Sequence, residues 1–220
     1  MKHIKGAIFD LDGTLLDSMD VWERIDIDFL AKRAIPVTRE YVETVTPMSF
    51  QAAAEYTISA FGLRESPEDI IAEWRAMAAD AYAHRVGLKP GARDYLAHLR
   101  SQGVRLAVAT ASEEALYRPA LERNGVYGLF DTFATVKEVP RGKGHPDVYL
   151  LAAARLGLPA ADCAVFEDIC AGIRGAKAGG FYAVGVYEPY CDYEKDEIVR
   201  TADLYIHSFH DLLPAAGIEG

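Results

Sequence analysis

From Val104 onward, short apolar runs alternate with helical stretches, and this alternation limits the fold more than any other feature of the chain. Val104–Ala109, Phe133–Val136, Ala164–Phe166, Ala183–Val186 and Leu204–Ile206 read as strands. Between them, Glu113–Asn124, His145–Leu156 and Ile169–Ala178 carry helical spacing and stop at or near glycines. Strands and helices taking turns call for right-handed crossovers and a parallel sheet. Lys5–Phe9 adds one more buried strand at the start. The expected fold class is α/β, a Rossmann-like three-layer core with a parallel sheet plus an inserted α-helical domain.

The insertion follows from one connection that is too long. The strand ending at Phe9 and the strand ending near Thr110 lie about one hundred residues apart, whereas a crossover with its helix needs about 30. The surplus reads as helix throughout: Ser18 to about Arg33, Arg39–Val45, Ser49–Phe61 and Pro67–His84, with Ala92–Gln102 leading back to the sheet. We therefore expect a core made of residues 1–16 and 89–220 and a helical cap over 17–88, hinged near Asp17–Met19 and Val86–Pro90.

The formal net charge of −10 argues against nucleic acid or an anionic membrane as a partner. No apolar stretch approaches a membrane span, and Met1–Lys5 runs straight into the first strand without the pattern of a signal peptide. Three cysteines, Cys163, Cys170 and Cys191, lack metal or redox spacing and suggest free thiols, so a cytoplasmic location is expected.

Ligands of open α/β sheets bind beyond the carboxyl ends of the strands, and polar residues gather there. Asp10 and Asp12 are two apart in an extended segment, so both carboxylates can face one point, and Gly13 lets the chain turn beside them. Two like charges so close call for a cation or a shared proton; a solvated turn after a strand is the plainer reading of Asp-x-Asp-Gly. Thr110 and Ala111 precede a helix start, where a hydroxyl and backbone N–H groups can hold an anion. An N-cap at Ser112 would explain the same residues. Lys143 stands on a glycine-flanked loop, placed either to reach inward for phosphate or to remain in solvent. Glu167-Asp168 end an apolar strand, where adjacent acids are costly unless they hold a cation; oxygen-only ligands suit Mg²⁺.

The run Asp10-Leu-Asp-Gly-Thr-Leu-Leu-Asp-Ser18, followed by Thr110, Lys143-x-x-Pro-Asp147 and Glu167-Asp168, resembles the motifs of the haloacid dehalogenase superfamily, in the subgroup with a helical cap after the first motif. The resemblance spans nearly the whole chain. It implies a Mg²⁺-dependent phosphatase of a small phosphorylated metabolite, working through an aspartyl-phosphate. Asp10 would be the nucleophile and Asp12 the general acid/base, with Thr110 and Lys143 also catalytic. Gly13, Thr110, Ala111 and Lys143 would bind phosphate. Asp10, Asp168 and the backbone carbonyl of Asp12 would hold the metal, with Glu167 as a further ligand, and Asp147 would orient Lys143. Haloacid dehalogenases themselves lack an acid at the Asp12 position, which argues against dehalogenation. Related β-phosphoglucomutases carry a histidine where Trp22 stands and an arginine-containing cap stretch where this chain has Thr46-Pro47-Met48-Ser49, which lowers a sugar-phosphate mutase to the alternative. A receiver-like signalling phospho-acceptor is the remote third reading. Trp22, Met48 and Phe50 are candidates for an apolar rim or for core packing.

Overall fold

The computed structural model describes residues 4–45 and 48–214 of the chain. It separates into two compact units, one of residues 1–18 with 87–220 and the other of residues 19–86.

The first unit is built on a six-stranded sheet. Its strands are β1 (Gly6–Phe9), β4 (Arg105–Thr110), β5 (Thr132–Thr135), β6 (Cys163–Glu167), β7 (Tyr182–Val186) and β8 (Leu204–Ile206). They lie in the order β5-β4-β1-β6-β7-β8, and every neighbouring pair is parallel. All the carboxyl ends therefore meet at one edge. After β1 the chain builds outward through β4 and β5, then returns to the other side for β6 and β7. The reversal falls between β1 and β6, the place where open α/β sheets form their crevice.

Side-chain alternation gives the sheet two different faces. Ile8, Ala107, Val165 and Ala183 pack with Val148, Tyr149, Leu156 and Ile173 of the helices α7 (Asp147–Leu156) and α8 (Cys170–Ala178). On the opposite face Phe9 stacks on Phe166, ring centroids 4.4 Å apart, with Tyr95 of α5 (Ala92–Ser101) and Phe209 against both. Tyr117 of α6 (Glu114–Arg123) stacks on Phe133 of β5. Both faces are covered, so the strands read as continuous apolar runs, as parallel strands do.

Two short strands escape a sequence reading. β2 (Leu16–Asp17) and β3 (Gly87–Leu88) pair antiparallel, Leu16 opposite Leu88, so the chain leaves and rejoins this unit through adjacent strands. A last helix, α9 (Lys195–Thr201), was likewise not expected; only Ile198 of its seven residues is buried.

The second unit holds α1 (Val21–Ala31), α2 (Arg39–Val45), α3 (Phe50–Phe61) and α4 (Pro67–His84). Its core contains Phe29, Leu30, Ala54, Ile70, Trp74, Ala78 and Tyr82. Ser49 caps α3 by accepting from the Ala52 N–H, and Ser66 with Asp69 forms a capping box on α4. Helix α1 starts at Val21, three residues later than the periodicity implies, and the Ser18 hydroxyl is directed to Asp12. Trp22 and Phe50 touch edge to face at 5.3 Å and are 38% and 41% exposed, so neither is a core residue. Thr46 and Pro47 lie outside the described residues. Among the described residues no helix is long and apolar enough to cross a membrane, and the three cysteines are buried and unpaired.

Candidate active site

Asp10 directly follows β1, and Glu167 and Asp168 end and follow β6, its neighbour across the reversal. The Asp10 N–H donates to the Phe166 carbonyl at 3.1 Å, which ties the two strand ends together. One carboxylate oxygen from each of Asp10, Glu167 and Asp168 lies within 4.8 Å of the others, and all three residues are buried. Lys143 arrives on the loop before α7 with its side chain only 9% exposed. Its ammonium is paired with Asp10 Oδ1 and lies 2.7 Å from Glu167 Oε1.

Three carboxyl groups thus face one ammonium. Burial is the largest influence on Asp10 and lifts it to about 7; Lys143 counteracts this, while Glu167 and Asp12 add to it. Burial, then Asp10, lifts Asp168 to about 7 against the pull of Lys143 and Thr14. Glu167 is raised as well, by burial first. Burial alone would lower Lys143, but Asp10 and Glu167 overcome it and hold the amine protonated, above its ordinary range. With every acid ionised the group carries an excess of two negative charges, which a divalent cation would balance. The donors are all oxygen, as Mg²⁺ prefers, and Glu167 Oε2 is buried with no hydrogen-bond partner among the described residues. The residues present fit that ion.

Several supports had no signal strong enough to be singled out from sequence. Thr14, fully buried, donates its hydroxyl to Asp168 Oδ1 at 2.9 Å. Ser18 donates to Asp12 Oδ1 at 2.7 Å. Tyr149 donates to Glu167 Oε1 at 2.8 Å. The two glycines of α8 admit the site's backbone and side chains: a Cβ at Gly172 would overlap the Glu167 carboxylate, and one at Gly175 would overlap the Lys143 carbonyl. Lys89, just after β3, forms a buried ion pair with Glu188, whose other oxygen accepts the Tyr190 N–H at 3.1 Å. The nearby Cys191 thiol is 3.8 Å from Asp168 Oδ2. A buried tyrosine at a helix core position beside the Lys143 motif was the one readable clue, since a buried phenol needs a partner.

Three local expectations are revised, and a fourth gains detail. Gly13 turns at φ +80° as foreseen, but its N–H donates to the Leu16 carbonyl at 3.0 Å and so serves the turn. Thr110 ends β4 fully buried, and its hydroxyl accepts the Ser112 N–H at 3.0 Å. Ser112 is not the N-cap; α6 begins at Glu114 after Glu113, and Ala111, just after β4, is exposed. Asp147 engages Arg141 at 3.0 Å instead of Lys143, bracing the loop from its other end, because Lys143 is taken up by Asp10 and Glu167.

Residues 4–180 match the family model described as haloacid dehalogenase-like hydrolase. Hexitol phosphatase A of Escherichia coli strain K12 is 31% identical over 212 residues, covering 94% of this chain and 93% of that protein. The β-phosphoglucomutase of Bacillus subtilis strain 168 is 29% identical over 223 residues, covering 94% and 95%. A crystal structure of a hydrolase of the same family from Deinococcus radiodurans, with bound phosphate and sodium, superposes with a TM-score of 0.75 at 25% identity, covering 96% and 94%.

Proposed function

The chain belongs to the haloacid dehalogenase-like hydrolases, and within that family we propose that it is a Mg²⁺-dependent phosphatase of a small sugar or polyol phosphate. The observation that carries this reading is the burial of Lys143 between Asp10 and Glu167, beside Asp168, at the reversal point of a parallel sheet. Folding tolerates such a charge excess poorly, whereas phosphoryl transfer, which is mainly positioning and neutralisation, uses it to hold the cation that offsets the phosphate charge. The name of the hexitol phosphatase relative supports a polyol or sugar ester as substrate class.

In this reading the Asp10 carboxylate attacks phosphorus, the ester oxygen leaves, and an aspartyl-phosphate forms on Asp10. Asp12 protonates the leaving oxygen and then takes a proton from the water that cleaves the intermediate. The Ser18 hydroxyl donates to Asp12 Oδ1 and orients the carboxylate for that exchange. Lys143 and Thr110 bind phosphoryl oxygens, with the backbone N–H of Ala111 beside them, while the Gly13 N–H stays on the Leu16 carbonyl. Asp10, Asp168 and the backbone carbonyl of Asp12 would hold Mg²⁺, with Glu167 in support; the ion supplies charge neutralisation for the dianionic phosphate. The helical residues 17–88 act as the cap that selects the substrate, joined to a core of residues 1–16 and 89–220.

A panel of hexitol, hexose and nucleoside phosphates, assayed with Mg²⁺ and with EDTA, tests the proposal by following phosphate release and isomer formation together. Metal-dependent release is expected. Isomer formation without release would support a mutase, the reading that the Bacillus subtilis relative favours; Trp22 in place of the mutase histidine speaks against it.

A further inference from the structure

Tyr149 lies near the start of α7 with its side chain fully buried, and its hydroxyl hydrogen falls on the same Glu167 oxygen that takes the Lys143 ammonium. The distances are 2.8 Å from the phenol and 2.7 Å from the amine. Glu167 Oε2 has no hydrogen-bond partner among the described residues, and Gly172 closes against it; Tyr149 and Lys143 both act on Oε1. The phenol and the amine come from one short stretch of chain, the Lys143 loop and the first turn of α7. The second claim on the ammonium is that of Asp10.

Two donors on one oxygen compete. A phenol hydrogen bond draws charge density from Oε1 and weakens the pull of Glu167 on Lys143, leaving the amine shared with Asp10 and available to a third anion. We propose that Tyr149 is a positioning residue that, through Glu167, sets where Lys143 stands and so sets the affinity of the site for a phosphoryl group. The proposal rests on the phosphatase reading for the role of Lys143, and nothing in the family motif itself names this tyrosine.

Tyr149→Phe keeps the ring that packs the core and removes only the hydroxyl. Inorganic phosphate binding, measured calorimetrically in Mg²⁺ buffer, should weaken about threefold to tenfold, the worth of one buried hydrogen bond. KM for a phosphate ester should rise in parallel. In a Glu167→Gln background, with Glu167→Asp as the substitute if that variant does not fold, the same change should alter phosphate affinity less than about twofold, because the partner through which the phenol acts has been altered. Equal losses in both backgrounds would overturn the proposal, as would unchanged phosphate affinity with only a lowered Tm, which marks a purely structural tyrosine. If the wild type binds phosphate with this coupling but hydrolyses no ester, the phosphatase reading fails and the positioning role stands. If it hydrolyses esters and the coupling is absent, the positioning role alone fails.

Discussion

Two charge clusters in this molecule set one cation among carboxylates to opposite ends. In the helical unit, Arg33 meets Glu65 at 2.8 Å and Glu73 at 2.7 Å and lies over the Phe29 ring at 3.7 Å. All three charged side chains keep some solvent, between 18% and 36%. Both acids are lowered: Glu73 first by its bond from Arg33, Glu65 first by its own backbone N–H and then by Arg33. At the carboxyl edge of the sheet, Lys143 meets Asp10 and Glu167 with almost no solvent, and the acids are raised. Arg33 has a fork of donors and a wet surround, so each contact lowers the energy of the folded chain. Lys143 is a single ammonium among three buried carboxyls, and desolvation exceeds what it can offset. Acids held above their usual range, in a crevice and around one cation, mark a place kept for chemistry and not for stability.

The largest expected effect breaks the site side of this contrast. Asp10→Asn should reduce phosphatase turnover by at least about 10³-fold, the scale on which enzymes that use a covalent nucleophile depend on it. Its stability to urea should stay level or rise, since one of three crowded carboxyls has been neutralised. Turnover that survives Asp10→Asn undiminished would end the aspartyl-phosphate mechanism. Lys143→Met should lose about 10²-fold or more in kcat/KM and, unlike Asp10→Asn, should destabilise the metal-free protein by about 3–5 kcal/mol at pH 8, because it leaves buried carboxylates unpaired. The loss should shrink toward pH 5 as Asp10 and Asp168 take up protons, and urea titrations at the two pH values measure it. A pH-independent loss would mean that packing of the lysine stem matters more than its charge.

Arg33→Met tests the other side and should have a smaller effect. It keeps the aliphatic stem and removes the guanidinium that lies over the Phe29 ring, with its bonds to Glu65, to Glu73 and to the Phe29 carbonyl. A loss of about 1–2 kcal/mol is expected for a partly buried arginine that donates three hydrogen bonds. Phosphate binding per folded molecule should not change. If instead the stability is untouched, this cluster is only a surface arrangement and the contrast drawn above loses one of its terms.

How much of this was legible beforehand depends on whether a residue's role is local. The strand over Val104–Ala109 was readable because a strand covered on both faces must be apolar throughout; the structure runs it from Arg105 to Thr110. The charged positions Asp10, Glu167 and Asp168 could be named because ionisable groups at the ends of such runs need a reason to be there, and Lys143 through its resemblance to a family motif. Thr14, Gly172 and Gly175 look ordinary along the chain; their roles exist only through contacts made far away in sequence, with Asp168, Glu167 and Lys143. The Leu16–Asp17 and Gly87–Leu88 pair was hidden for the same reason, since two residues carry no periodicity and their partners are separated by the whole helical insertion. Asp147 was misassigned because the motif gives its spacing to Lys143 but not the nearer claim of Arg141.

Asp26 offers the finest test, because it places one feature of the site inside the helical unit. Burial lifts its carboxyl from 3.8 to about 6, and Glu23 adds to the rise. Unlike Lys143 among its acids, no cation figures among the influences on Asp26. The folded state therefore holds this proton to higher pH than the unfolded state does, so stability falls as pH rises from about 4 to about 6 and is flat beyond. Asparagine has nearly the same shape and helix propensity as aspartate but no charge to desolvate. Asp26→Asn should accordingly raise stability at pH 8, with the gain shrinking to nothing near pH 4, as urea midpoints at the two pH values would register. A gain of equal size at both pH values would trace the effect to hydrogen bonding and not to charge. No gain at pH 8 would show that this acid, although half-buried, is ionised without cost, and then burial of a carboxyl would distinguish the catalytic crevice from the helical unit only when several acids are crowded together.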